Sequence, residues 1–252
     1  MAAQASFLVM ALFATVFLLC QDADELVRKA LEGAKAESSL KVTFTGRVDA
    51  PGSDPMDIHG AALQVGRDLL FIEYHASGGQ LKFIVRKGDM VVEWHPVVEE
   101  WMDAQRLGDG AAGRGAQNPH EVFDTLLANR TGAKVLSRDD KVTRIEISLN
   151  GPKLRPLLRD LVNEQEVNWE STVAGSILEL DSATGVLRSA ETSASIGWRE
   201  GKKIEYKGKV TVESLGKETD FRFFEKTPAG KALKEIPLTD DARKRLGLAQ
   251  KR

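Results

Sequence analysis

Four histidines, His59, His75, His95 and His120, are the side chains in this 252-residue sequence best suited to proton transfer or metal ligation, but they are too dispersed along the chain to make a local ligand set. His95 has Glu99 close behind it, yet Pro96 breaks the segment between them, and neighbouring His and Glu are common on strand surfaces. Glu99-Glu100 reads as an exposed edge rather than an acid–base pair, and neither a GxSxG elbow nor an HExxH pair is present. The single cysteine, Cys20, excludes a disulfide framework and a CxxC site. The stretch 106–117 (RLGDGAAGRGAQ) is glycine-rich but lacks the GxxxxGK[ST] order of a phosphate-binding loop, so a plain connecting loop is expected. Lys153, Arg155 and Arg159 form a basic face without interleaved aromatics, which gives nucleic-acid binding no support. Asn129-Arg130-Thr131 satisfies the glycosylation pattern but falls at a helix end. No catalytic residue, metal or cofactor is expected, and the chain does not read as an enzyme.

What remains is apolar surface. Phe44, Leu63, Phe71, Phe83, Trp94, Ile177 and Tyr206 fall on strand-like segments, and Phe123, Leu126, Leu127, Leu157 and Leu161 on helix-like ones. Taken singly, such residues are core before they are ligand contacts. Together, on a curved sheet covered by only a few short helices, they can line a cavity suited to an acyl chain.

Hydrophobic residues make up 42% of the chain, which excludes disorder throughout. The net charge of −2 hides an asymmetry. From Lys226 onward eight Lys or Arg oppose Glu235, Asp240 and Asp241, giving +5 there and −7 elsewhere. An acidic body argues against nucleic acid as a partner, and the basic end reads as a solvated extension. Residues 7–19 form an uncharged run followed at once by Cys20-Gln21-Asp22, the core of an export signal over residues 1–20 and too short to span a bilayer. A periplasmic protein is therefore expected. Lipidation at Cys20 is the minor alternative, because Leu19 stands where a small residue is needed.

Residues 22–38 carry Leu26, Val27, Ala30, Leu31 and Ala34 at helical spacing. Residues 41–49 switch to period two, with Val42, Phe44, Gly46 and Val48 on one face. Strands over 57–65, 69–75, 81–86 and 90–95, a turn at 78–79 and a short run over 97–102 follow with connections too short for crossovers, so the neighbours are antiparallel. Asn118-Pro119-His120-Glu121 opens a helix carrying Val122, Phe123, Leu126 and Leu127, with Gly132 as its expected terminator. A hairpin over 134–137 and 142–149, a helix over 153–162, strands over 173–181, 186–198, 203–215 and 219–225, and one helical turn at 240–246 complete the reading. About eleven strands against two or three short helices predict a mainly β, α+β fold: one large curved antiparallel sheet with helices on its concave side.

The order of these elements resembles the LolA-like family of periplasmic lipoprotein carriers. Its most telling part is GDMVVEWHPVVEEW at 88–101, similar to the family's pattern of a DG-type turn, an apolar strand, an aromatic residue and a proline, with Trp94 and Pro96 on the matching positions. The chain departs from the family at Arg67-Asp68, where Arg-Pro and a further basic residue are usual, and reads as a divergent member. The resemblance covers residues 21–228, a half-barrel domain, and leaves 229–252 as a charged C-terminal tail. It implies an incomplete antiparallel β-barrel whose concave, apolar interior is capped by helices, a monomer that takes up lipoprotein acyl chains or lipid and carries them from inner to outer membrane, with transport partners at both. An envelope sensor or regulatory lipid-binding protein of the same fold is the alternative.

Overall fold

The computed structural model describes residues 23–77, 81–103, 119–155, 166–226 and 233–249. The export signal over 1–20, the turn at 78–79, the glycine-rich loop at 106–117, and Leu157 and Leu161 lie outside the described residues.

Helix α1 (residues 23–36) buries Ala23, Val27, Ala30, Leu31 and Ala34, the stripe that its three- and four-residue spacing dictates. A meander follows: β1 (Ser39–Asp49), β2 (Met56–Val65), β3 (Leu69–Ala76), β4 (Lys82–Lys87), β5 (Met90–His95) and β6 (Glu100–Asp103). Gly88 takes φ 56 between β4 and β5, a left-handed conformation that a side chain would strain. Helix α2 (Pro119–Asn129) then leads straight into β7 (Arg130–Arg138), β8 (Val142–Leu149), β9 (Val167–Asp181), β10 (Leu187–Trp198) and β11 (Lys203–Leu215). A small hairpin of β12 (Phe223–Lys226) and β13 (Leu233–Ile236) and the short helix α3 (Asp240–Arg245) close the chain.

The large sheet has 11 strands in the order β6-β5-β4-β3-β2-β1-β11-β10-β9-β8-β7. The chain thus enters at the centre, meanders to one edge, crosses by way of α2 to the other, and meanders back. β1 and β11 form the seam, antiparallel from Leu40 opposite Leu215 to Asp49 opposite Glu205. The edges β6 and β7 do not pair with each other, so the barrel stays incomplete, as expected.

Local readings change in places. Gly132 does not end α2, which stops at Asn129; it lies inside β7, where pairing with β8 from Arg130 onward overrides its turn preference. β9 starts at Val167, six residues before the expected start at Val173, because Trp198 and Gly197 of β10 supply a ladder to Val167 and Asn168 that polar local sequence does not advertise. Of the helix expected over 153–162, the described part is the end of a 3₁₀ turn, Gly151–Leu154, capped by Asn150 through its side chain, followed by Arg155 in helical conformation; residues 156–165 lie outside the described ones.

The two faces of the sheet have different covers. On the concave face Leu40, Val42, Ala62, Ile72, Ile84, Leu178, Ile145, Ile147 and Ile204 pack with the buried stripe of α1 and with Phe123 and Leu126 of α2. On the other face, β2 to β6 present Leu63, Phe71, Phe83, Val85, Val92 and Trp101, which pack under Phe223, Ile236, Ala242 and Leu246. The described C-terminal part is therefore no solvated extension but a cover over half of the convex face. Trp101 Nε1 donates to Pro237 O at 2.9 Å, Lys87 Nζ to Gly247 O at 3.0 Å, and Arg245 pairs with Asp103 at 3.7 Å. Apolar residues a few positions apart among many charges hid this cover from a pattern search. The convex side of β11 remains polar, with Glu205, Lys207, Lys209 and Glu213 exposed as their alternation predicts.

Candidate functional site

Strand register builds a continuous apolar row across the concave face. Tyr74, Gly60, Phe44, Val210, Ala190, Leu178, Ile145 and Val135 sit opposite one another on successive strands from β3 to β7. A parallel row runs from Met56 through Val48, Tyr206, Ala194 and Ala174 to Leu149. Unlike the fully covered stripe beneath α1, these rows contain half-buried side chains: Phe44, Met56, Tyr74, Tyr206 and Val210. An apolar surface that its own helices leave partly open is what a hydrophobic ligand requires.

Glycines shape this floor. A Cβ built on Gly60 would stand 2.7 Å from Phe44 Cζ and 2.1 Å from Glu73 O, and one on Gly208 would stand 2.1 Å from Tyr206 Oη. Each aromatic ring thus lies flat across a neighbouring glycine, where any larger residue would push it upward. Burial raises the phenol of Tyr206 above its usual value, and its hydroxyl makes no hydrogen bond to another described residue. Tyr74 is raised mainly by burial, with Lys82 opposing and Glu93 adding to the effect. At the β4–β5 end of the concave face Lys82 Nζ meets Glu93 at 3.2 Å, so these two charges neutralise each other. On β9, Trp169 Nε1 and Thr172 Oγ1 are buried without a hydrogen-bond partner among the described residues.

The helical layer is held by ion pairs rather than by the sheet alone. Arg130, just after α2, forks onto Asp24 of α1 at 2.6 and 2.7 Å and donates to Leu127 O at 2.7 Å. Lys35 at the far end of α1 pairs with Asp124 of α2, and Arg86 of β4 reaches Glu121 at 3.7 Å. These links make α1 and α2 antiparallel neighbours. His120 is buried beside them, and burial together with the nearby Lys35 charge lowers its basicity. A half-open pocket of about 370 Å³ lies on the other flank of α1, between Ala30, Gly33 and Ala34 and the 181–187 turn. Asp181 there is held down to about 2 by the Thr184 N–H, the Arg188 guanidinium and the Thr184 hydroxyl.

The residues singled out from sequence are divided by this arrangement. Phe44, Tyr206, Phe123, Leu126 and Leu127 belong to the concave cluster. Leu63, Phe71, Phe83 and Trp94 belong to the convex cluster under the C-terminal cover, where Trp94 stands edge-on to Trp101 at 5.8 Å. Ile177 faces away from the helices, between Glu146 and Glu191. Sequence reading missed Met56, Tyr74, Trp169 and Trp198. The first two follow from extending the period-two register outward from Phe44; the tryptophans required the true start of β9 and its pairing with β10.

Among the described residues, no three His, Cys, Asp or Glu side chains converge on a metal-sized space. No family model matches the sequence, and no curated protein matches it. Among solved structures the chain is similar to the Mycobacterium tuberculosis lipoprotein LppX, at 11% identity over 79% of this chain and 98% of that one, with a TM-score of 0.45. It is also similar to LprF from Mycobacterium bovis, at 8% identity over 79% and 95%, with a TM-score of 0.45. A LolA superfamily protein from Nitrosomonas europaea follows at 14% identity over 79% and 94%, with a TM-score of 0.33. The incomplete barrel with helices on its concave face is the architecture that the LolA-like resemblance implies.

Proposed function

We propose that this protein binds the acyl chains of lipids or lipoproteins on the concave face of its sheet, under α1 and α2, and carries them through the periplasm. The observation that supports this reading is the half-buried apolar strip of Phe44, Met56, Tyr74, Tyr206 and Val210. An acyl chain has no polar group to satisfy and gains roughly 0.8 kcal/mol per buried CH₂, so a smooth apolar floor is sufficient recognition. Trp169 Nε1 and Thr172 Oγ1 offer donors to the ester end of such a chain. In this reading α2 is the moving element, released and reseated through its ion pairs to α1 and β4, and exchange occurs with partners at the inner and outer membranes. The protein acts as a binder rather than an enzyme.

Native mass spectrometry of the protein purified from periplasm, combined with titration of a fluorescent fatty-acid probe, tests this. Co-purified acyl species and probe uptake are expected in the parent protein. Val210→Asp, on the concave floor, abolishes uptake, whereas Ile177→Asp, on the convex face, retains it. Absence of acyl species and of uptake in the parent, or equal uptake in both variants, rejects the concave face as a lipid site.

A further inference from the structure

Two of the histidines that are scattered in sequence meet in the fold. His59 on β2 and His75 on β3 are directly opposite each other in the antiparallel register, with ring centroids 5.1 Å apart and planes at 43°. Both alternate with concave-face residues, Gly60 and Tyr74, so both rings stand on the convex face. They lie farther along the strands than Leu63 and Phe71, the residues of β2 and β3 under the C-terminal cover, and His59 is exposed. The pair is thus set apart from the acyl-binding face and stands independently of that reading.

The separation suits a shared metal ion. A Zn–N bond of about 2.0–2.1 Å and a further ~1.1 Å to the ring centre place each centroid about 3.2 Å from the ion, and a tetrahedral angle then separates two centroids by about 5.2 Å. Directly opposed strand positions hold their Cβ atoms at fixed spacing, so little side-chain ordering is needed to bring both nitrogens onto one ion. We propose that His59 and His75 form a two-imidazole site for a borderline divalent ion, Zn²⁺ or Cu²⁺, with Cu²⁺ the tighter by the usual order of first-row metals. Since no third His, Cys, Asp or Glu converges there among the described residues, water fills the remaining positions. Asp57, two residues from His59 on the same face, is paired with Arg47 at 3.3 Å and so adds little net charge to the site.

Equilibrium dialysis and calorimetry with Zn²⁺ alone and Cu²⁺ alone, on protein purified without a polyhistidine tag, test the site. One ion per chain is expected, with affinity reduced about tenfold or more in His59→Gln and in His75→Gln and unchanged in His95→Gln. The ion also raises the melting temperature of the parent, by joining two strands, and not that of the single variants. Circular dichroism of the variants separates lost binding from lost folding. Wild-type affinity in the His59→Gln/His75→Gln double variant, or no uptake by the parent at millimolar metal, overturns the proposal.

Discussion

Replacing Arg130 with Met removes a side chain that joins the start of α1 to the end of α2. Arg130 makes two short bonds to Asp24 and a third, of 2.7 Å, to Leu127 O. Hydrogen bonds to charged groups contribute roughly 1.5–3 kcal/mol where both partners are shielded. Here Arg130 is 19% exposed but Asp24 is 48% exposed, so solvent screening reduces the pair to about 1 kcal/mol. Losing the bond to the Leu127 carbonyl adds about 1 kcal/mol, so Arg130→Met should cost about 2 kcal/mol in urea unfolding. A double-mutant cycle with Asp24→Asn isolates the pair, with an expected coupling of about 1 kcal/mol. The Asp24 carboxyl is held below its usual value chiefly by the hydrogen bond from Arg130, against opposing burial and with help from the Arg130 and Arg28 charges. Its folded value lies below the unfolded one, so this stabilisation is complete above about pH 4 and is lost as pH falls through the depressed value. Arg130→Met should therefore flatten stability against pH in the acid range. A coupling within about 0.3 kcal/mol of zero, with an unchanged acid limb, refutes the fork as the tie between the helices.

Phe223 is fully buried against Trp101 at 5.4 Å and Phe83 at 5.6 Å, so Phe223→Ala should cost about 3–5 kcal/mol and alter tryptophan fluorescence; a cost near zero in thermal melts would show that the C-terminal cover is not seated. Two glycines should respond with opposite sign. Gly60→Ala drives a methyl into Glu73 O and the Phe44 ring and should destabilise by at least about 1–3 kcal/mol, whereas Gly33→Ala, in α1 with nothing near its new methyl, should stabilise by about 0.5–1 kcal/mol. Differential scanning calorimetry of both variants reads the sign directly, and destabilisation by Gly33→Ala would count against the open flank of α1.

Much of the fold was legible because local periodicity carries it. The stripe of α1, the alternation through Val42, Phe44 and Val48, and the exposed Lys207 and Lys209 opposite buried Ile204 were all readable before any contact was known. Short connections sufficed to make the neighbours from β1 to β6 antiparallel, whereas the β1–β11 seam joins segments far apart in the chain. What periodicity cannot say is which side of an apolar strand a distant segment will cover. β3 and β4 bury both faces: Phe71, Phe83 and Val85 lie on one side, and Leu70, Ile72 and Ile84 on the other. Their continuous apolar runs therefore carried no alternation to separate wall from cavity.

By itself, then, the sequence determined most of the elements, the antiparallel pairing of strands joined by short turns and the apolar character of the interior, since these depend on residues a few positions apart. Tertiary structure alone decided that Trp94, Phe71 and Phe83 serve the convex cover while Phe44 and Tyr206 floor the concave face. It also brought His59 and His75 into register. The first follows from which distant segment packs over each face, and the second from the register of the β2–β3 hairpin, where a one-residue shift would have turned every one of these side chains to the opposite face.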